Sequence, residues 1–276
     1  MMMNRWLRPY GVWGVAISIL WLAGCQSPEK RAAVAAKTAE QRVKETSERI
    51  QQDPVAYLRD LLKRCEALSA YRLMFIRQER LGLIPVLNKP ERIAVRFREK
   101  PFSVKFDFPD ETSDYIESVY VAGANNDKLI VRERRGMLGL PPTIRIVNPM
   151  DAVIFGRSKR PITDFGLTKM VGRTLTTIDK PPKGEPAKIT YEGIVTLEQT
   201  GVTAHHLVIL RATTLESPCP RQDLWIDVAT DLPAGTRLVL PNDTTDALYL
   251  YYDVKADTSL SDADFQVKMP TSKPGK

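Results

Sequence analysis

Cysteine and histidine are scarce in this chain, and their scarcity excludes several chemistries. Three cysteines and two histidines in 276 residues rule out a disulfide-stapled scaffold, which is cysteine-dense. No CxxC or CxxH spacing is present, so zinc and redox motifs are unsupported. The histidines, His205 and His206, are adjacent; on a strand their side chains leave opposite faces, so they cannot share a metal, and they read as structural. A GxSxG elbow and a Walker phosphate loop are both missing, and no cofactor motif is found. Asp107, Asp110 and Glu111 could supply a catalytic carboxylate pair, but a turn after Pro109 explains them better. Cys65 as a nucleophile has no base placed beside it. The chain therefore reads as non-enzymatic. Also missing is a run of about 20 apolar residues, the length a membrane-spanning helix needs.

What is present begins with an address. Arg5 and Arg8 precede an apolar stretch, Gly11 to Leu22, with no acidic residue before Cys25. A short apolar core behind positive charge is the pattern of an export signal. The ending Leu22-Ala23-Gly24-Cys25 resembles the lipobox of bacterial lipoproteins. That resemblance implies cleavage before Cys25, a diacylglycerol thioether on its sulfur and acylation of the new amine. Two or three chains at roughly 0.8 kcal/mol per buried methylene make such an anchor effectively permanent. Gln26 after the cysteine, in place of Asp, favours the periplasmic face of an outer membrane over an inner membrane. Losing residues 1–24 removes two arginines and no acid, so the net charge falls from +7 to +5. A basic chain can bind nucleic acid, but no such motif is present, and anionic head groups are the better match for an exported protein. Its densest basic run, Arg132-Glu133-Arg134-Arg135, reads as a solvated strand end or loop.

The remainder divides into a tether and one domain. Residues 25–52 are the lipidated start and a spacer rich in Ala, Glu, Lys and Arg, with good helix propensity but almost no apolar stripe. Asp53-Pro54 is an N-cap followed by a residue preorganised for the first helical turn. Val55, Leu58, Leu61, Leu62, Cys65 and Leu68 then recur at helical spacing. After Ser69 the period drops to two: Ile93, Val95 and Phe97 alternate with Arg92, Ala94, Arg96 and Arg98. Phe102, Val104, Phe106 and Phe108 alternate with Ser103, Lys105 and Asp107. Alternation of this kind marks antiparallel strands with one buried face. Further strands are expected near 71–82, 115–122, 128–134, 143–147, 187–199, 205–213, 223–228, 236–240 and 247–255, with a second helix in 161–177.

About ten strands and two helices make an α+β protein built on one large antiparallel sheet over 53–270, followed by a short tail, 271–276. A flat sheet would expose more apolar surface than a monomer tolerates. Strong curvature with one or two helices laid in the concave side removes it. Tyr249 and Tyr251 share one face of a strand, and Leu250, Tyr252 and Val254 the other. Core packing explains this stripe and the Phe102–Phe108 stripe. The sharper reading is that Phe102, Val104, Phe106, Phe108, Tyr249 and Tyr251 line an apolar cavity. Cys65 and Cys219 are an even pair in a compartment where disulfides persist; they are either bridged or two separate thiols.

Several motifs resemble a bacterial lipoprotein family, the domain of unknown function 1571, related to LolA/LolB-like lipoprotein carriers. They are Arg98-Glu99-Lys100-Pro101-Phe102-Ser103-Val104; Glu117, Tyr120 and Gly123; and Arg160-Pro161-Ile162-Thr163 with Gly166-Leu167. Two later segments also match: Leu224-Trp225-Ile226-Asp227 before Leu232-Pro233, and a closing strand with Leu260, Asp262, Asp264 and Phe265. Together these span about 57–270. The resemblance implies an unclosed barrel plugged by helices, whose concavity holds acyl chains in the characterised relatives. It does not imply that this chain ferries lipoproteins, since a tether on Cys25 suits a receptor or static binding domain better. The sequence thus favours a monomeric, membrane-anchored module that binds a lipid, a lipidated chain or another hydrophobic ligand. A scaffold lipoprotein with a filled core is the alternative.

Overall fold

The computed structural model describes residues 28–134, 143–215 and 217–267; Cys25 and Arg135 lie outside them. A helix, α1, runs Pro28–Gln52. Contacts divide the chain into a first unit ending at Arg42 and a second starting at Val43. The domain therefore starts ten residues before the expected boundary at 53. The reason lies in two residues of the spacer: Ile50 is fully buried, and Ser47 Oγ lies 3.0 Å from Tyr191 Oη. Two anchoring side chains suffice where an apolar stripe is lacking. Among the described residues no helix is long and apolar enough to cross a membrane.

Helix α2, Pro54–Glu66, starts as its residues dictate: the Asp53 carboxylate accepts from the Ala56 amide at 2.9 Å and Pro54 opens the first turn. It buries Tyr57, Leu58, Leu61 and Cys65. The strands follow: β1 Ala70–Leu81, β2 Val86–Leu87, β3 Glu91–Arg98, β4 Ser103–Asp107, β5 Tyr115–Val121, β6 Leu129–Glu133 and β7 Ile144–Val147. Two helices, α3 Asp151–Ile154 and α4 Leu167–Asp179, lead to β8 Lys188–Leu197, β9 Val202–Leu210, β10 Arg221–Asp227, β11 Pro233–Val239 and β12 Thr245–Ala256. All pairings are antiparallel, and the order is β7-β6-β5-β4-β3-β1-β12-β11-β10-β9-β8, with β2 beside β1. The sheet is open: β7 and β8 are its two edges.

The sheet curves around α2 and α4, which share one core with Tyr71, Phe75, Ile93, Phe97, Leu207, Ile209, Leu224 and Ile226. Gly166, at φ +135°, starts α4; a Cβ there would stand 3.2 Å from the Phe97 ring. Both the positive φ and the close approach favour glycine. A second cluster on the other face joins Ile76, Trp225, Leu248 and Leu250.

Two expectations change. Arg72 pairs with Lys255 and Met74 with Tyr252, so β12 carries one extra residue there. The bulge, with Asp253 at φ 52°, reverses the alternation beyond it. Val254 therefore packs on the helix-side core with Tyr249 and Tyr251, while Tyr252 and Leu250 stay on the opposite face. The expected closing strand at 260–265 is instead a 3₁₀ turn, Asp262–Phe265, closed by reciprocal bonds between Ser261 and Asp264. Leu260 and Phe265 cover Ala70 and Val119 from outside the sheet.

Candidate functional site

The helices do not cover the whole sheet, and where they stop a cavity of about 630 Å³ remains. Its size falls within the roughly 300–1,000 Å³ of small-molecule sites. β1 contributes Phe75, β4 Phe106, β6 Leu129 and Val131, β7 Val147, and β12 Tyr249 and Tyr251; Phe108 and Phe165 come from loops. Period-two alternation puts Phe75 and its neighbours on this face, and the aromatic rings pack edge and face. Phe75 stacks on Tyr251 with centroids 5.3 Å apart, and Phe165 meets Phe106 edge-on at 5.1 Å. Such pairs prefer these offset and T-shaped arrangements. Phe155, 71% exposed, marks the mouth.

Polar groups gather at the β12 end. Tyr249 Oη donates to Glu79 Oε1 at 2.5 Å, and Glu79 also accepts from the Lys159 amide at 3.2 Å. Arg160 and Arg173 each place a terminal nitrogen 3.0 Å from the same Asp164 oxygen. Burial lowers the Arg173 pKa, and the neighbouring Arg160 charge lowers it further. Burial lifts the Tyr251 phenol to about 12, against the opposing pull of Arg173 and Arg160. An adjoining polar chamber of about 770 Å³ shares Arg77, Glu79, Tyr115, Glu133, Arg145 and Arg157 with the first. The result is an apolar pocket with a polar vestibule, a shape that fits a molecule greasy at one end and polar at the other.

Of the six cavity candidates named from alternation, Phe106, Phe108, Tyr249 and Tyr251 line this cavity. Phe102 and Val104 do not. Val104 is fully buried, and Phe102 packs between Phe97 and Tyr120 with Lys169 Nζ 4.4 Å above its ring. Alternation decides which face a residue points to, not whether that stretch is covered. Strand alternation carries no information on Arg160, Asp164 and Phe165, which precede α4, or on Arg173, which lies within it. The usable signal is the density of charge around one aromatic in 160–173: Arg160, Asp164, Lys169 and Arg173 flank Phe165.

Other singled-out residues have structural partners. His205 Nδ1 lies 2.8 Å from Tyr191 Oη, and His206 Nε2 lies 3.0 Å from Asp223 Oδ1. Burial pushes the Asp223 carboxyl up, but bonds from His206, Arg221 and Arg237 outweigh it and hold the pKa at about 2. In the basic run, Arg132 pairs with Glu117, Glu133 with Arg145, and Arg134 donates to the Phe108 and Asp110 carbonyls. Asp107 is paired with Arg96 at 2.7 Å, and Asp110 opens a turn closed by the Ser113 amide. Cys65 and Cys219 are buried free thiols, not bridged to each other. Burial raises them to about 12 and about 11, which makes them poor nucleophiles. Among the described residues no group of three His, Cys, Asp or Glu could hold a metal.

The chain belongs to the family described as protein of unknown function (DUF1571), whose model matches residues 68–273. No curated protein matches it. Similar solved structures include a DUF1329 family protein from Desulfovibrio piger, 14% identical, TM-score 0.37, covering 78% of this chain and 98% of that one. Another is the Mycobacterium tuberculosis lipoprotein LppX, 10% identical, TM-score 0.41, covering 74% of this chain and all of that one. A LolA superfamily protein from Nitrosomonas europaea is 7% identical with a TM-score of 0.22, covering 76% and 97%.

Proposed function

We propose that this member of the DUF1571 family is a non-catalytic envelope lipoprotein, anchored through Cys25, that binds the apolar part of an amphiphile between its sheet and α4. The observation that carries this reading is the cavity: about 630 Å³ walled by Phe75, Phe106, Phe108, Val131 and Tyr251 that the chain's own side chains leave open. A scaffold needs no such void, and voids cost stability. Among the described residues the polar groups bordering it include no nucleophile–base arrangement, which argues for binding over turnover. The lipobox-like ending at Cys25 supports the membrane part of this reading, since amphiphiles are supplied there.

The test is to purify the full chain from membranes in a non-ionic detergent, extract it and identify bound lipids by mass spectrometry. A Val131→Phe variant, whose ring projects into the cavity and narrows it, serves as the comparison. A lipid enriched on the wild type and depleted on the variant supports the reading; identical lipid content in both overturns it. Retention of Cys25→Ser in the membrane fraction, without acyl labelling of the wild type, would remove the anchor.

A further inference from the structure

One corner of the cavity holds more hydrogen-bond donors and more positive charge than the fold uses. Tyr251 is 5% exposed and lines the cavity, and among the described residues its hydroxyl has no hydrogen-bond partner. The ring is buried while the hydroxyl oxygen stays accessible from the cavity, so it is available to whatever enters. The charges acting on it are Arg173, Arg160 and Asp164, two cations to one anion. Both guanidinium groups lean on the same Asp164 oxygen through a single terminal nitrogen, at 3.0 Å each. Arg173 reaches otherwise only the Asp164 carbonyl. Each guanidinium carries five N–H donors, so most of them have no acceptor here. Glu79, the other carboxylate nearby, is bound to Tyr249 and the Lys159 amide. The opposite end, on β4 to β7, presents Phe106, Phe108, Leu129 and Val131, and the charges beside them, Glu133 and Arg145, are paired with each other at 3.0 Å.

We propose that this corner receives the anionic head, a carboxylate or phosphate, of an acyl-chain amphiphile whose tail lies along Phe106, Phe108 and Val131. The inference rests on the cavity being an amphiphile site and adds which amphiphile it selects and which way round it lies. A charged oxygen pair accepts from Arg160, Arg173 and Tyr251 together, and charge-assisted bonds of this kind are about twice as strong as neutral ones. It also gives the second guanidinium a counter-charge of its own, in a cluster whose side chains are about a third exposed. An alcohol head would leave the extra cation without a counter-charge.

The test uses membranes carrying the full chain and a photoreactive C16 fatty acid, with palmitate, hexadecyl phosphate and hexadecanol as competitors. Labelling should be displaced by palmitate or hexadecyl phosphate at concentrations about tenfold or more below hexadecanol, and the two acids tell carboxylate from phosphate selection. Arg160→Gln combined with Arg173→Gln should abolish that ratio. Tyr251→Phe, which keeps the ring stack, should reduce it several-fold and carries the test if the double variant does not fold. Hexadecanol competing as well as the acids, or a ratio unchanged in Tyr251→Phe and the double variant, overturns the head-group assignment while leaving the cavity reading intact. Absence of specific labelling by the probe overturns both.

Discussion

The two halves of the sheet solve the same problem differently. Beneath β8 to β11, the ends of α1, α2 and α4 press down and leave no space: Leu207, Ile209, Leu224 and Ile226 are fully buried, and Gln222 donates to Thr174 of α4 at 2.9 Å. Polar ties hold this lid from α2 and α4, including Tyr57 to Asp231, Arg64 to Asp231 and Arg59 to Asp179. Beneath β4 to β7 the cover is thinner among the described residues: Phe165 meets Phe75 and Phe106, and Ala152 of α3, Phe155 and Ile162 border the same space. None of the cavity's lining residues comes from β8 to β11. The filled half accounts for stability and the open half leaves room for a ligand. A single sheet can do both because its strands share β1 and β12 as a common seam.

That contrast can be broken by experiment. The largest effect belongs in the filled half: Leu224→Ala should destabilise the protein by about 3 kcal/mol, as deletions of fully buried leucines do, measured by urea unfolding. A loss below 1 kcal/mol would mean the core there is not close-packed. Next comes acid. Asp223 titrates at about 2 in the fold, below the ordinary carboxylate value near 3.9. Its depressed pKa adds stability that is present above about pH 4 and lost as pH falls through 2, on the order of 2 kcal/mol. Asp223→Asn should flatten the acid limb of a stability-versus-pH curve, and an unchanged limb would locate the acid sensitivity elsewhere. The smallest stability effect belongs to the open half. Val131→Phe, which would cost roughly 1–3 kcal/mol in a packed core, should cost less than about 1 kcal/mol here because the ring enters empty space. A shift in melting temperature as large as that of Leu224→Ala would show that the cavity is closed in solution.

Some of this was readable without coordinates. Phe102 through Phe108 and Ile93 through Phe97 alternate so regularly that their face follows from pleat geometry alone. Asp53-Pro54 marks the start of α2 because capping is a local bond. What failed was non-local. Val254 changes face because one extra residue in β12 faces β1, which no count along a single strand detects. Arg160 and Phe165 lie in the connection before α4, where no period applies, and Arg173 lies on α4, whose period gives its face but not its neighbour on β12. Ser47, Arg49 and Ile50 join the domain through a few scattered contacts, too few to leave an apolar stripe.

By itself, then, the order of residues determined a set of amphipathic segments and offers an export address at Cys25 as an expectation, because those properties depend on nearest neighbours and on steps of two or four. Where the two helices would stop along the sheet, and therefore which inward-facing aromatics would pack solidly and which would wall a void, was decided only in three dimensions. Coverage of a curved surface depends on the lengths and crossings of distant elements, and no short-range pattern encodes that.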